Sequence, residues 1–143
     1  MKKLLLLLLI CSVYFFSCSE NNAANSSSEA EVSFETEIKA VYRKISAGEA
    51  RKIMESADDF ILLDVRTDEE YKEKRIDRAI LIPNYELANR AELELPDKKA
   101  VILIYCRSGR RSASAAKELV NMGYTNVYDF GGINDWPYET TND

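Results

Sequence analysis

The sequence predicts an α/β fold in which helices cover both faces of a mostly parallel sheet. Several short apolar runs have the length of buried strands, and segments with helical spacing and helix-capping residues separate them. Strands that alternate with helices imply crossover connections, which place helices on both faces of a parallel sheet. The predicted strands are residues 60–65, 79–83, 100–105 and 126–130.

Three helices are predicted from the residues at their ends. Ser46 is followed three residues later by Glu49, and this spacing is a capping box that marks a helix start. Thr67 is a similar cap before a second helix. A third helix is predicted over residues 112–122 because Gly123 follows its last turn. The remaining expectations are a short leading helix over residues 32–44, a helix or irregular turn over 85–95, and a turn at Gly131 and Gly132.

Residues 1–17 have the order of a secretory signal peptide. Two lysines come first, an apolar run follows, and small residues close the segment. The apolar run is too short and wrongly flanked for a membrane span. The ending at Cys18 resembles a bacterial lipobox, in which the cysteine is lipidated and becomes the mature N-terminus; Cys11 fits that pattern less well. The sequence therefore predicts an exported chain, lipid-anchored on the periplasmic or cell-surface side of a bacterial membrane. The alternative is an ordinary cleaved signal.

The rest of the chain is predicted to be a tether followed by one domain. Residues 18–31 are rich in asparagine, serine and alanine without apolar periodicity, which indicates a flexible tether. Residues 32–143 are enough to bury a single core. The net charge is −5, which argues against nucleic acid or anionic lipid as a partner. We expect membrane contact through the N-terminal lipid only, and the oligomeric state is left open.

Cys106 stands at the end of the most apolar run. With Cys18 assigned to lipid, it is the one free thiol expected in the mature chain. The chain has no histidine, so a single cysteine cannot complete a zinc site, and neither a metal nor an organic cofactor is predicted. A leftover cysteine in an exported protein is either buried and inert or reactive. The arginines, glycine and helix that follow Cys106 favour the reactive reading.

The segment CRSGRR, residues 106–111, is predicted to be a loop before a helix that starts near Ser112. The start of a helix supplies unpaired N–H groups and the positive end of its dipole. Gly109 lets successive N–H groups of the loop turn inward around an anion. This environment lowers the pKa of Cys106, so we expect a thiolate in a pocket that also accepts a persulfide or an oxyanion.

The absence of histidine removes one class of cysteine chemistry. A cysteine protease needs a histidine partner, and this chain has none. Two chemistries that need only the helix dipole and backbone N–H groups remain open, sulfur transfer and phosphoryl transfer.

Longer stretches of the sequence resemble the rhodanese family of sulfurtransferases. The resemblance runs over about residues 45–136 and is carried by LLDVRTDEEYKEKRIDRAILIP and YCRSGRRSASAAKELVNMGYTNVYDFGGINDW. It implies a three-layer α/β/α sandwich around a mostly parallel sheet and a persulfide carried by Cys106. The residues that the resemblance implies for substrate binding are Arg107, Ser108, Gly109, Arg110 and Arg111.

The length of the loop favours sulfur transfer within this resemblance. Rhodaneses are similar to one another in a six-residue loop, whereas related phosphatases have seven residues, with arginine six positions after cysteine. Here that position is Ser112, and the arginine is Arg111. We expect Arg107 to face the substrate and Arg111 to support the loop from the helix side.

The resemblance implies an enzyme that moves a sulfane sulfur between two partners. The donor would be a small anion such as thiosulfate, and the acceptor a thiol or cyanide. The alternative is a carrier module that loads sulfur or binds anions with little turnover, and a cysteine-loop phosphatase is less favoured.

Three further features concern the surroundings of the site. Resembling sequences usually have glycine where this chain has Arg78, so we expect an altered turn there. Asp64 and Arg66 are candidates for catalytic groups, but the favoured prediction is that Asp64 ends a strand and pairs with an arginine to brace the fold. Trp136 and Tyr138 are predicted either to wall the pocket or to pack in the core.

Overall fold

The computed structural model describes residues 41–142, which form a five-stranded sheet between layers of helices. In chain order the elements are β1 (Arg43–Lys44), α1 (Ala47–Ser56), β2 (Ile61–Asp64), α2 (Asp68–Glu73), β3 (Ile80–Leu81), α3 (Leu87–Glu94), β4 (Val101–Cys106), α4 (Arg110–Asn121), β5 (Asn126–Gly132) and a 3-10 helix (Ile133–Asp135). The strand order is β1-β5-β4-β2-β3, and every neighbouring pair is parallel. The predicted α/β sandwich is confirmed, with β4 at the centre of the sheet.

Some predictions concern residues that the structure does not describe. The signal peptide of residues 1–17, the lipidation site Cys18 and the tether of residues 18–31 all lie outside the described residues, as do residues 32–40 of the predicted domain. Within residues 41–142, no helix combines the length and the apolar composition that crossing a membrane requires.

Two apolar cores, one on each face of the sheet, hold the three layers together. Successive side chains of a strand point to opposite faces. In β4, Ile102, Ile104 and Cys106 belong to the core covered by α3 and α4. Leu103 and Tyr105 belong to the core covered by α1 and α2. Because β4 is buried on both faces, it is an unbroken apolar run, and its alternation assigns Cys106 to the α4 side.

The predicted capping box at Ser46 and the predicted cap at Thr67 are both present. The Ser46 hydroxyl accepts the N–H of Glu49 at 3.2 Å, and the Glu49 carboxylate accepts the N–H of Ser46 at 2.8 Å. Thr67 and Glu70 form the same reciprocal pair at the start of α2. Removing a cap residue of this kind costs about 1 kcal/mol, so these local signals set where α1 and α2 begin.

Helix α4 forms where the sequence predicts it but begins at Arg110, two residues before Ser112, so the predicted start is wrong. The reason is Gly109, whose φ of 92° turns the chain directly into the helix. Gly123 ends the helix with φ 93°, as its position predicts. The buried face follows the helical period: Ser112, Ala115, Ala116 and Leu119.

The predicted leading helix does not reach Lys44. Residues Arg43–Lys44 instead form an edge strand that pairs with Tyr128 and Asp129 of β5. The backbone groups along the outer edge of β5 need hydrogen-bond partners, and a short strand supplies them where a helix could not.

Gly131 and Gly132 extend β5 instead of forming the predicted turn. Ile104 pairs with Asp129 and Cys106 with Gly132, so β5 contains one extra residue across from β4. Gly131 takes φ 91° within this bulge, a conformation that suits glycine. The two glycines therefore bend the strand beside the end of β4.

Arg78 replaces the glycine of resembling sequences but keeps a glycine-type backbone. Its φ is 66°, in the left-handed region that side chains rarely adopt. Its guanidinium lies over the ring of Phe60, 4.8 Å from the centroid. The replacement therefore changes the side chain at this surface, while the backbone conformation remains one that glycine prefers.

A buried ion pair lies at the carboxyl end of β2. Arg66 donates to both carboxylate oxygens of Asp64, and the shortest contact is 2.6 Å. The same guanidinium binds the carbonyl of Lys74 and lies 5.6 Å from the centroid of the Tyr105 ring. Both charged side chains are almost fully buried. The predicted bracing pair is thus present, and it joins β2 to the end of α2.

We expect Arg66→Ala to destabilise the protein by about 3–5 kcal/mol, because it leaves the Asp64 carboxylate buried without its partner. Urea unfolding measures the change in free energy. The control is Arg51→Ala, which removes an exposed ion pair with Glu55 and should cost less than about 1 kcal/mol. Equal effects of the two substitutions would contradict a bracing role for Arg66.

Candidate active site

Cys106 is the last residue of the central strand, and its side chain lies against the start of α4. In parallel sheets, ligand sites form where strands end and helices begin. Only 1% of Cys106 is exposed, and it packs within the apolar core on the α4 side. The sulfur is therefore held at the base of the loop, beneath the exposed residues Arg107 and Ser108.

The sulfur of Cys106 occupies the position of a helix cap. Gly109 precedes α4 and has no side chain to cap it, so the first N–H groups of the helix lack a side-chain partner from that position. The N–H of Gly109 donates to the Cys106 Sγ at 3.1 Å. A thiolate accepts such a bond better than a thiol does, so the helix start stabilises the charged form.

Hydrogen bonds set the acidity of Cys106. Burial raises the pKa of this thiol, but hydrogen bonds from the backbone and side chain of Ser112 and from the N–H groups of Ser108 and Gly109 outweigh burial. The pKa of Cys106 therefore lies below the ordinary value for a cysteine. A lowered pKa makes the nucleophilic thiolate the prevalent form at a lower pH.

The bulge in β5 holds the loop in place. The N–H of Asn134 donates to the carbonyl of Arg107 at 3.2 Å. A Cβ added at Gly132 would lie 2.5 Å from that same carbonyl and 2.6 Å from the Cα of Ser108, so only glycine fits there. The Ser112 hydroxyl lies within donating distance of the carbonyls of Gly109 and Gly131, at 3.1 and 3.2 Å.

The three arginines of the predicted loop lie in different environments. Arg107 is in the loop, whereas Arg110 and Arg111 form the first turn of α4, so the loop proper is shorter than six residues. Arg111 pairs with Glu70 of α2 at 2.7 Å, and both side chains are about one-fifth exposed. Arg107 and Arg110 are exposed, and neither has a carboxylate partner among residues 41–142.

Two adjoining depressions lie over the loop. One, of about 380 Å³, is lined by Glu70, Arg107, Ser108, Arg110 and Arg111. The other, of about 220 Å³, shares Glu70 and Arg107 with the first; its remaining lining residues are Arg66, Glu73, Lys74, Ile133 and Asn134. The residues predicted to bind substrate are thus brought together on one surface, with the exception of Gly109, which turns the backbone beneath it.

Some site residues were not predicted as such. Ser112 is expected from the sequence only as a helix residue, although its N–H and hydroxyl act on the sulfur. Glu70 is expected only as part of a solvated helix, although it holds Arg111. A hydroxyl side chain directly after the arginines was a usable signal for Ser112. The sequence held no comparable signal for Glu70, because its contact with Arg111 joins segments 41 residues apart.

Trp136 packs in the core instead of walling the pocket. It is 7% exposed, and its ring lies 5.4 Å from that of Phe130, which in turn packs against Tyr105. Tyr138 lies against the outer side of Trp136 and is 40% exposed. Neither aromatic residue lines the two depressions over the loop.

The parallel sheet and a cysteine capping the helix after its central strand define a cysteine-loop α/β protein. Comparison with protein-family models places residues 46–138 in the rhodanese-like domain. This match covers well over half of the chain, and the chain belongs to the rhodanese family.

Similar proteins include named sulfurtransferases. The thiosulfate sulfurtransferase PspE of Escherichia coli is 40% identical over 73 residues, which are 51% of this chain and 70% of that protein. The thiosulfate sulfurtransferase GlpE of Coxiella burnetii is 33% identical over 97 residues, which are 67% of this chain and 88% of that protein. A solved structure described as a rhodanese with anions from E. coli has a TM-score of 0.55 and 35% identity, and it covers 58% of this chain and 98% of its own.

We expect the thiolate of Cys106 to form at a lower pH than the thiolate of a free cysteine, about 8.5, because the hydrogen bonds at the sulfur favour the charged form. The ultraviolet absorbance of the thiolate, measured against pH as the difference from Cys106→Ser, gives the midpoint without the contributions of Cys11 and Cys18. A midpoint at or above that of a free cysteine would show that burial dominates.

Proposed function

We propose that this protein transfers sulfane sulfur through a persulfide on Cys106. The observation that carries the proposal is the sulfur of Cys106 bound at 3.1 Å by the N–H of Gly109, with its pKa lowered by hydrogen bonds. Membership of the rhodanese family and the named sulfurtransferase relatives support it.

In the first half of the reaction, the Cys106 thiolate attacks the outer sulfur of a donor such as thiosulfate. A new S–S bond forms to Sγ, the old S–S bond breaks, and sulfite leaves with the electron pair. The exposed guanidinium groups of Arg107 and Arg110 attract the anionic donor. The N–H groups that face Sγ then stabilise the negative charge of the persulfide.

In the second half, a nucleophilic acceptor takes the outer sulfur. A thiolate or cyanide attacks that sulfur, the bond to Sγ breaks, and Cys106 returns as a thiolate ready for another cycle. No histidine is needed, because the helix start supplies the stabilisation that a base would otherwise provide.

One observation favours a second candidate, a carrier that loads sulfur but turns over poorly. Cys106 is only 1% exposed, and a buried sulfur limits the approach of an acceptor. A carrier would take up one sulfur per chain and then stop, whereas an enzyme would continue to form product in the steady state. A phosphatase remains disfavoured, since Arg111 pairs with Glu70 and Ser112 occupies the position where phosphatases carry arginine.

The test is an intact mass measurement after the chain has been incubated with thiosulfate and freed of excess donor. We expect the mass to rise by one sulfur atom and to fall again on adding cyanide. Cys106→Ser should show no gain while keeping the same unfolding transition. If both proteins gained sulfur equally, the reaction would occur on another cysteine, and this result would contradict the proposal.

We also propose that the protein is exported and held at a bacterial membrane by a lipid on Cys18. The support is the order of residues 1–17 and the small residues around Cys18. Feeding the bacterium a tagged fatty acid should label the protein, Cys18→Ala should abolish the label, and Cys11→Ala should retain it. If only Cys11→Ala lost the label, the result would show that Cys11, not Cys18, carries the lipid.

A further inference from the structure

We propose that Asp129 is a positioning residue for Cys106: its side chain fixes the bulge of β5, and the bulge holds in place the backbone donor that binds the sulfur. The inference deepens the proposed function and rests on it for the reaction that this arrangement serves. It assigns a role to a buried acidic residue that the reaction itself does not use.

Asp129 is a buried acidic residue without a cationic partner. It lies on β5 opposite Ile104 and is 1% exposed. The other buried acidic residue of residues 41–142 is Asp64, which pairs with Arg66. In the same range, no arginine or lysine forms an ion pair with Asp129. Burying an acidic side chain without a cation is unfavourable, and a local cost of this kind is expected where function requires it.

The carboxyl group of Asp129 binds the backbone of the bulge. Its Oδ1 accepts the N–H of Gly131 at 3.0 Å. A bulge interrupts the ladder of backbone hydrogen bonds, so this N–H finds its acceptor in a side chain two residues earlier in the same strand. Gly131 has a φ of 91°. The hydrogen bond therefore ties the side chain of Asp129 to the one residue of the bulge whose backbone has left the strand conformation.

Gly131 in turn meets the start of α4 at two points. A Cβ added to Gly109 would lie 3.4 Å from the Cα of Gly131, so the two backbones pack closely. The hydroxyl of Ser112 lies 3.2 Å from the Gly131 carbonyl, within donating distance. Gly109 is the residue whose N–H donates to the Sγ of Cys106 at 3.1 Å. A shift of Gly131 would therefore displace the donor that the sulfur uses.

The fit between the bulge and the loop leaves little room for such a shift. Gly132 follows Gly131 and lies so close to the loop that an added Cβ would be 2.5 Å from the carbonyl of Arg107. Hydrogen bonds weaken steeply when donor and acceptor lose alignment. Asp129 makes no hydrogen bond to Sγ within residues 41–142, so its influence on the sulfur passes through the backbone of Gly131.

The experiment compares three substitutions of Asp129 in the full chain. Asp129→Ala and Asp129→Val remove the acceptor, and valine suits a strand. Asp129→Asn removes the charge but keeps an oxygen that can accept the Gly131 N–H. Thiolate absorbance against pH gives the midpoint for Cys106, each chain being measured as the difference from the same chain with Cys106→Ser. Mass measurement gives the rate of sulfur loading from thiosulfate, and urea unfolding shows which chains fold.

We expect Asp129→Ala and Asp129→Val to raise the thiolate midpoint by about one pH unit, the effect of losing one hydrogen bond to a charged group. At a pH below both midpoints, this shift leaves about tenfold less thiolate. The greater nucleophilicity of the less acidic thiol offsets part of the loss, so loading should slow about threefold. Asp129→Asn, the conservative rescue, should keep the midpoint within about 0.3 pH units of the original chain.

The control is Tyr124→Phe, which removes a buried hydrogen-bonding group away from the loop. The Tyr124 hydroxyl donates to the carbonyls of Ala91 and Leu95 at the end of α3, at 2.9 and 2.7 Å. This variant should unfold at lower urea concentration and keep the thiolate midpoint. It separates a loss of stability from a loss of position at Cys106.

The possible outcomes separate positioning from stability and from charge. An unchanged midpoint in folded Asp129→Ala and Asp129→Val would limit Asp129 to stability and overturn the inference. An equal lowering of the midpoint in Asp129→Ala and Asp129→Asn would show that Asp129 acts through its charge, which also overturns it. If neither apolar variant folds, Asp129→Asn decides: a retained midpoint supports the inference, and a shift of about one unit contradicts it.

The two proposals fail in different measurements. A chain that gains no sulfur from thiosulfate or from inorganic polysulfide contradicts the proposed function. The thiolate midpoints do not depend on sulfur transfer, so they still decide whether Asp129 positions the donor to Cys106.

Discussion

The contact between the sulfur of Cys106 and the start of α4 is the interaction on which the rest of the site depends. Gly109 gives α4 no side-chain cap, and the first turn carries two arginines at the positive end of the dipole. A helix start of this kind lacks the hydrogen-bond acceptor that the side chain of serine, threonine or aspartate normally provides. The sulfur supplies it, at 3.1 Å from the Gly109 N–H. The same contact that completes the helix also stabilises a thiolate, so folding and reactivity have one physical origin.

This contact requires a backbone that cannot relax away from the sulfur. The β5 bulge brings Gly132 against the carbonyl of Arg107 and the Cα of Ser108, closer than any side chain would permit. On the neighbouring strand, the buried pair of Asp64 and Arg66 ties β2 to the carbonyl that ends α2. Helix α2 in turn supplies Glu70 to Arg111. The loop is thus held from both sides of β4 by interactions that bury polar groups only where each has a partner.

The electrostatics of the entrance differ from those of the protein as a whole. The chain has a net charge of −5, yet the surface over Cys106 presents two unpaired guanidinium groups. A positive spot on an acidic protein concentrates anions near Cys106, as the proposed function requires. Arg111 is neutralised by Glu70, which leaves Arg107 and Arg110 without a carboxylate partner among residues 41–142 and available to the anionic donor of the proposed function.

The sequence by itself determined the α/β class, the positions of α1 and α2, and Cys106 at the end of the most apolar strand. These depend on local physics: apolar runs of strand length, and capping boxes that bind their own backbone within three residues. It did not determine the roles of Glu70 and Gly132, nor the edge strand at Arg43–Lys44. Each of these depends on a contact between segments distant in the chain, such as the 41 residues that separate Glu70 from Arg111. Contacts of this kind are decided only when the layers pack, because the spacing of residues along a chain says nothing about which loops and helices meet at one end of a sheet.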